Sequence, residues 1–193
     1  MIIDISQEVF SCNVYPGDPE PVLYKLENME EGALYNLSAF TMCAHNGTHV
    51  DAPSHFLKNG KTIDKIDLEA FAGECFVRRH TGDVLESDAK DILRCAAEAG
   101  AKDRILIAGN AVITEEAAQV FANARIRLIG NESQSVGPVD SPMAVHLILL
   151  GAEVVLLEGL VLKDVPEGKY FLCAVPIKLA GCEGAPCRAI LIK

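Results

Sequence analysis

Residues 44–56 read AHNGTHVDAPSHF and gather three of the chain's five histidines around one carboxylate. Neutral imidazole nitrogen and carboxylate oxygen are ligands for divalent transition ions such as zinc or manganese. Gly47 and Pro53 argue against a helix through the stretch. In an extended chain, successive side chains alternate between faces. His45, Gly47, His49, Asp51, Pro53 and His55 would then share one face, bringing all three imidazoles and the carboxylate together. Gly47 leaves space at the backbone between His45 and His49. Pro53 bends the chain so that His55 can fold back over the same site. The stretch contains no cysteine, which argues against a closed structural zinc site and for one with a position open to water. The competing interpretation is a surface loop that happens to be polar.

These residues need a frame. The chain has 193 residues, of which 50% are hydrophobic and 23% charged, enough for a sizeable core. No repeat and no Pro/Gly/Ser-rich linker divides it, so residues 1–193 are expected to form one domain. MIID, PVLYKL and ALYNLSAFTMCA look like strands, and YPGDPEP (15–21) is a rigid loop carrying Tyr15. ECFVRR, RILIAG (104–109), RIRLIG (125–130), VVLLEGL, YFLCAVPI and CRAILI are further expected strands. Three helices are expected between them: SDAKDILRCAAEAG with Ser87 as N-cap, TEEAAQVFANA with Thr114 as N-cap, and the apolar DSPMAVHLILLGAE. Strands alternating with helices indicate an α/β domain with a mixed sheet flanked by helices.

Composition excludes several classes. The formal net charge is -10 and no basic cluster exceeds Arg78–Arg79, so nucleic acid and anionic membrane are not expected partners. The N-terminus, MIIDISQEVF, has neither a cationic flank nor a long apolar run, so a cytoplasmic location is expected. VHLILLGAEVVLLEGLVL is interrupted by His146, Glu153 and Glu158, which fits a packed core and not a membrane span. The seven cysteines include no C-x-x-C and mostly sit among apolar neighbours. Cys182 and Cys187 flank EGAP closely enough for a strained pair, but a cytosolic chain is not expected to keep a disulfide. His80 fits no ligand pattern and reads as a surface residue.

The stretch also carries a resemblance. H-x-G-T-H-x-D-x-P-x-H, met here by His45, Gly47, Thr48, His49, Asp51, Pro53 and His55, resembles the signature of the cyclase family of metal-dependent hydrolases. That family includes bacterial kynurenine formamidase (arylformamidase) and isatin hydrolase. DIS followed by YPGDP, and the closing GKYFLCAVPIKLAGCEGAPCRAILI, are similar to the family's two ends. The resemblance implies a swivelling β/β/α fold and a homodimer or homotetramer. It implies two divalent ions, zinc or manganese, with His45, His49 and Asp51 on the first. Asp51 would bridge to a second ion completed by His146 and Glu158. Read alone, each of those two is first a satisfied core polar group. Both are costly to bury unpaired, and a shared cation would satisfy them together.

His55 would be the proton donor and acceptor, a role its near-neutral reference pKa permits. Tyr15 stands where the formamidases carry a substrate-stacking tryptophan. The implied activity is metal-assisted hydrolysis of an amide, lactam or ester in a small molecule, such as N-formylkynurenine in tryptophan catabolism. A metal-dependent cyclase or dehydratase, or a non-catalytic metal-binding member, are the alternatives. The middle of the chain departs from the pattern. IAGN (107–110) replaces an Arg-Thr-Gly segment and its long loop. GNESQSVG keeps only Ser135 of G-x-D-x-x-S-x-D, with Glu132 and Gly137 at the two acidic positions. These changes are expected to remove polar substrate contacts and part of a lid.

Overall fold

A computed structural model describes residues 1–193. In chain order the strands are β1 (Ile2–Asp4), β2 (Val22–Glu27), β3 (Leu37–Thr41), β4 (His49–Asp51), β5 (Ala72–Arg79), β6 (Gly82–Val84), β7 (Arg104–Ala108), β8 (Ala111–Ile113), β9 (Leu128–Asn131), β10 (Val155–Glu158), β11 (Gly168–Cys173), β12 (Gly184–Pro186) and β13 (Ile190–Ile192). The α-helices are α1 (Glu86–Glu98), α2 (Glu115–Asn123) and α3 (Met143–Gly151). The fold is mixed α/β, as the alternation of elements predicts.

Nine strands form one mixed sheet in the order β1-β13-β11-β5-β7-β9-β10-β4-β12. Its centre, β5-β7-β9-β10, is parallel, and the strands outside it pair antiparallel. Parallel strands are covered on both faces and so read as continuous apolar runs. In β7, RILIA, every residue is buried. Ile105 and Ile107 meet Ile92, Phe121 and Leu149 of the helices, whereas Leu106 and Ala108 join Ile5, Phe71, Leu157 and Leu191 on the other face. Period-two alternation thus feeds two cores from one strand.

Local signals set the helix ends. Thr114 Oγ1 accepts from the Ala117 N–H, as expected of an N-cap. Ser87 does not cap α1. The helix begins at Glu86, and the Asp88 carboxylate accepts from the Leu85 N–H at 2.9 Å, which moves the cap two residues upstream. The strand expected from Arg125 starts only at Leu128. Arg125 takes φ 53°, the left-handed turn that ends α2, and so cannot extend a strand.

The histidine stretch is extended only at His49–Asp51. Residues 44–48 form turns with Gly47 at φ 65°, and Pro53–His55 is a 3-10 turn. The single-face ladder from His45 to His55 is therefore corrected to a strand of three residues between two turns. The space at Gly47 is taken by the chain itself, since a Cβ there would lie 3.2 Å from Cys12 Cβ. All seven cysteines are free, so Cys182 and Cys187 form no bridge. His80 is tied to the Asp83 carbonyl near the surface. No helix is long and apolar enough to cross a membrane.

Candidate metal centre

Sheet register assembles the site. Strand β4 lies between β10 and β12, with His49 opposite Glu158 and Asp51 opposite Gly184. Thr48 fixes the start of β4. Its hydroxyl donates to the Gly159 carbonyl at 2.6 Å and accepts from the Gln7 N–H at 2.9 Å. Asn46, fully buried, shapes the turn that presents His45, accepting from the Cys43 N–H and donating to the Pro19 carbonyl. Helix α3 brings His146 in from the helical layer.

Asp51 is the hub. Its Oδ1 lies 2.8 Å from His45 Nδ1 and 3.5 Å from His49 Nε2. Its Oδ2 lies 3.7 Å from His146 Nε2 and 4.0 Å from His55 Nε2. Glu158 sits 3.3 Å from His49 Nε2 and 3.4 Å from His146 Nε2. Two groups of donor atoms result, His45–His49–Asp51 and Asp51–His146–Glu158, each with its atoms within 4.8 Å of one another and both including Asp51. The structure therefore brings together all five residues expected as ligands.

The donor set fits a divalent cation. The second nitrogens of His49 and His146 face backbone carbonyls, Nδ1 of His49 at 3.0 Å from Gly47 O and Nδ1 of His146 at 2.8 Å from Pro142 O. Outer partners of this kind set the tautomer that leaves Nε2 free as a ligand. Asp51 Oδ2 is buried with no hydrogen-bond partner in the protein. Buried polar atoms are seldom left so.

Charge accounts for the protonation of the metal-free site. Burial disfavours the charged form of His45, but the Asp51 hydrogen bond and the nearby charges of Asp51, Glu183 and Glu158 outweigh it, carrying His45 up to about 9. Burial likewise opposes protonation of His49 and His146, and both are nevertheless raised, chiefly through Glu158. Burial would raise Asp51, yet its bond from His45 and the surrounding imidazoles hold it well below the usual carboxylate range. At neutral pH a cation must displace protons from the imidazoles.

Zn²⁺ affinity is therefore expected to rise by roughly tenfold per pH unit for each proton displaced, with the His45 contribution levelling off above about 9. The sign for stability is opposite without metal. His45 is raised above its ordinary 6.5, so its stabilisation is complete below that value and is lost as pH rises through about 9. Melting curves with and without Zn²⁺ should diverge progressively across this window. Parallel curves would contradict the assignment.

His55 belongs to neither donor group. Its ring stacks on His45 at 4.2 Å between centroids, with the Phe56 ring edge-on at 4.6 Å. Burial, reinforced against Asp51 by the charges of His45 and His146, lowers its pKa. It is held in place and neutral at pH 7.

Above the donors lies a cavity of about 210 Å³, whose wall includes Tyr15, Asp18, Phe56, Gln134, Ser135 and Pro142. No lysine or arginine lines it. Tyr15 lines the cavity, with its hydroxyl committed to the Val139 carbonyl at 2.5 Å. Gln134 Nε2 donates to the Asn13 carbonyl at 2.5 Å. These two bonds strap the N-terminal loop to the 134–139 segment and roof the cavity.

A family model described as Putative cyclase matches residues 3–138. The chain belongs to the cyclase family. Kynurenine formamidase of Erythrobacter litoralis (strain HTCC2594) is 34% identical over 98% of this chain and 93% of its own length. That of Salinibacter ruber (strain DSM 13855 / M31) is 33% identical over 98% and 96%. A solved structure described as a potential metal-dependent hydrolase with cyclase activity superposes with TM-score 0.83 at 28% identity, covering 99% of this chain and 96% of that one. Isatin hydrolase A from Labrenzia aggregata shares the fold, with TM-score 0.83 at 20% identity over 99% and 93%.

Internal hydrogen bonds order the segment where this cyclase-family chain departs from the sequence pattern. Glu132 accepts from the Gly109 N–H at 2.5 Å and from the Leu162 N–H at 2.7 Å, clamping the 131–137 loop between two neighbours. Gln134 and Val139 roof the site through their bonds to Asn13 and Tyr15. Ser135 also lines the cavity, with its hydroxyl buried and unpartnered. Asn46, Phe56, Gln134 and Glu132 were not singled out as functional from the sequence. Asn46 and Phe56 adjoin the histidine motif, which was the available signal. Gln134 offered none.

Proposed function

We propose that this protein is a metal-dependent hydrolase of the arylformamidase type, cleaving the carbonyl–nitrogen bond of a small amide or lactam. The observation that carries the proposal is the pair of donor groups sharing Asp51 on the floor of a cavity whose wall bears a neutral histidine, His55. The two kynurenine formamidases, similar over nearly the whole chain, support the choice of amide chemistry. We assign one zinc or manganese ion to each donor group.

Bound there, a divalent ion supplies Lewis-acid polarisation of a carbonyl and acidifies water. The protein does the rest. Asp51 and Glu158 provide the negative charge that retains the cations, and the carbonyls of Gly47 and Pro142 fix two of the imidazoles. His55, held by stacking, takes the proton from the attacking water and delivers it to the departing nitrogen. Phe56, Pro142 and the Tyr15 ring offer an apolar wall to an aryl group. Ser135 Oγ and Gln134 Oε1, both buried and unpartnered, are available to the polar edge of the substrate. With no cationic side chain in the wall, a neutral aryl formamide or lactam suits the cavity better than a carboxylate-bearing one.

The test is product analysis across small aryl formamides, lactams and esters with Zn²⁺- or Mn²⁺-loaded protein. Hydrolysis gives products that together are one water heavier than the substrate. A product of equal or lower mass would replace this reading with a cyclase or dehydratase. No turnover by fully loaded protein would leave a non-catalytic metal-binding protein.

Self-association belongs to the same proposal. The β2–β3 hairpin exposes Leu23, Tyr24, Leu26, Leu37 and Phe40, each at 46% or more. An isolated two-stranded hairpin is marginal in water, and an apolar surface of this kind marks an interface. We assign it to a second copy of the chain. Light scattering should give a dimer or tetramer, and Leu26→Lys with Phe40→Lys should shift the mass toward the monomer. A monomeric wild type would refute this.

A further inference from the structure

His49 and His146 each have one nitrogen toward the carboxylates and the other on a backbone carbonyl. His45 has no such carbonyl. Its Nδ1 is the atom beside Asp51, and its Nε2 is buried and unpartnered. The carboxylate in reach of that Nε2 is Glu183, with Oε1 at 3.4 Å, close but not aligned as a hydrogen bond. Glu183 stands outside both donor groups and its side chain is 46% exposed, so it is not placed as a ligand.

Strand pairing fixes this arrangement. The Ala52 N–H donates to the Glu183 carbonyl at 2.8 Å, and the next residue, Gly184, lies opposite Asp51. A Cβ on Gly184 would stand 2.7 Å from His45 Cε1 and 2.9 Å from the Val50 carbonyl. Only glycine leaves the imidazole its place. The dipeptide therefore does two things at once. Gly184 makes room for the ring, and Glu183 reaches the nitrogen that points away from Asp51.

We propose that Glu183 is a positioning residue for the metal centre, accepting the His45 Nε2–H so that Nδ1 is presented as the ligand atom, with Gly184 as the cradle of the ring. The inference rests on the metal-binding reading above. It gives a ligand on a turn an outer partner, the part that the backbone carbonyls play for His49 and His146. Carboxylate partners of ligating histidines have this effect in general, and their removal costs about 10–100-fold in metal affinity.

Competition of Zn²⁺ alone against a chromophoric chelator provides the test. Glu183→Ala should weaken Zn²⁺ binding by roughly 10–100-fold. Glu183→Gln, whose amide oxygen still accepts a hydrogen bond, should recover most of the loss. The melting temperature of the metal-free protein should fall only slightly and equally in both, because Glu183 is half exposed and adds less than Asp51 to the hold on the His45 proton. Gly184→Ala should also weaken binding by displacing the ring, and serves only as support because it crowds the Val50 backbone. Zn²⁺ affinity of Glu183→Ala within about twofold of wild type, or a loss that Gln does not reduce, would overturn the proposal. If wild type itself binds no Zn²⁺, the metal reading falls and this inference with it; tight wild-type binding with an unaffected Glu183→Ala would remove Glu183 alone.

Discussion

Asp51→Asn should nearly abolish metal binding and take hydrolysis below detection. Asp51 lies within 4.0 Å of all four imidazoles of the site and belongs to both donor groups. Asparagine keeps the shape and one carbonyl oxygen but removes the charge that both cations would share. Losing one partner of a buried ion pair costs about 3–5 kcal/mol, which corresponds to roughly a hundred- to several-thousandfold in affinity. The sheet does not depend on that charge. β4 is held by main-chain pairing to β10 and β12 and by Thr48. The variant should therefore keep its circular dichroism spectrum while failing to compete for Zn²⁺ with a chelator. Affinity within about tenfold of wild type would mean that Asp51 is not the hub, since that is less than the loss of a buried charge partner.

His55→Ala should separate chemistry from metal binding. The ring touches His45 and Phe56 without belonging to either donor group. Positioned proton transfer contributes about 10²–10⁴ to rate, so kcat should fall by that factor while Zn²⁺ affinity stays close to wild type. Added imidazole should restore part of the rate, because the truncated side chain leaves space beside His45. A structural role would give a different pattern, in which metal affinity and melting temperature fall together and imidazole restores nothing. A kcat within about threefold of wild type would remove His55 from the proton step.

The long elements were legible because burial on both faces leaves a plain mark. ILIA and VLL are apolar throughout, and Thr114 announces its helix with two glutamates behind it. Of the three-residue strands, β4 and β12 were not legible, since they are too short to show a period and exist through pairing with their neighbours. That limit explains the ladder. The sequence put His45, His49, Asp51 and His55 in the right place for a reason that holds only for His49 and Asp51. Turns at Gly47 and Pro53 bring in the other two. His146 and Glu158 were recognisable through family resemblance and through the cost of burying them unpaired. Glu183 was not, because an acid in a glycine-rich terminal segment reads as solvent-facing. Its relation to His45 depends on the register of β12 against β4, separated by more than a hundred residues.

The central claim is that cations held by these five residues make the protein a hydrolase. Stripping the protein with a chelator and titrating Zn²⁺ back, while following release of the arylamine from a small aryl formamide, tests it most directly. The stripped protein should be inactive, and the rate should return in proportion to bound Zn²⁺ until the donor groups are filled. Equal hydrolysis by the stripped protein, or none by the fully loaded one, would contradict the account.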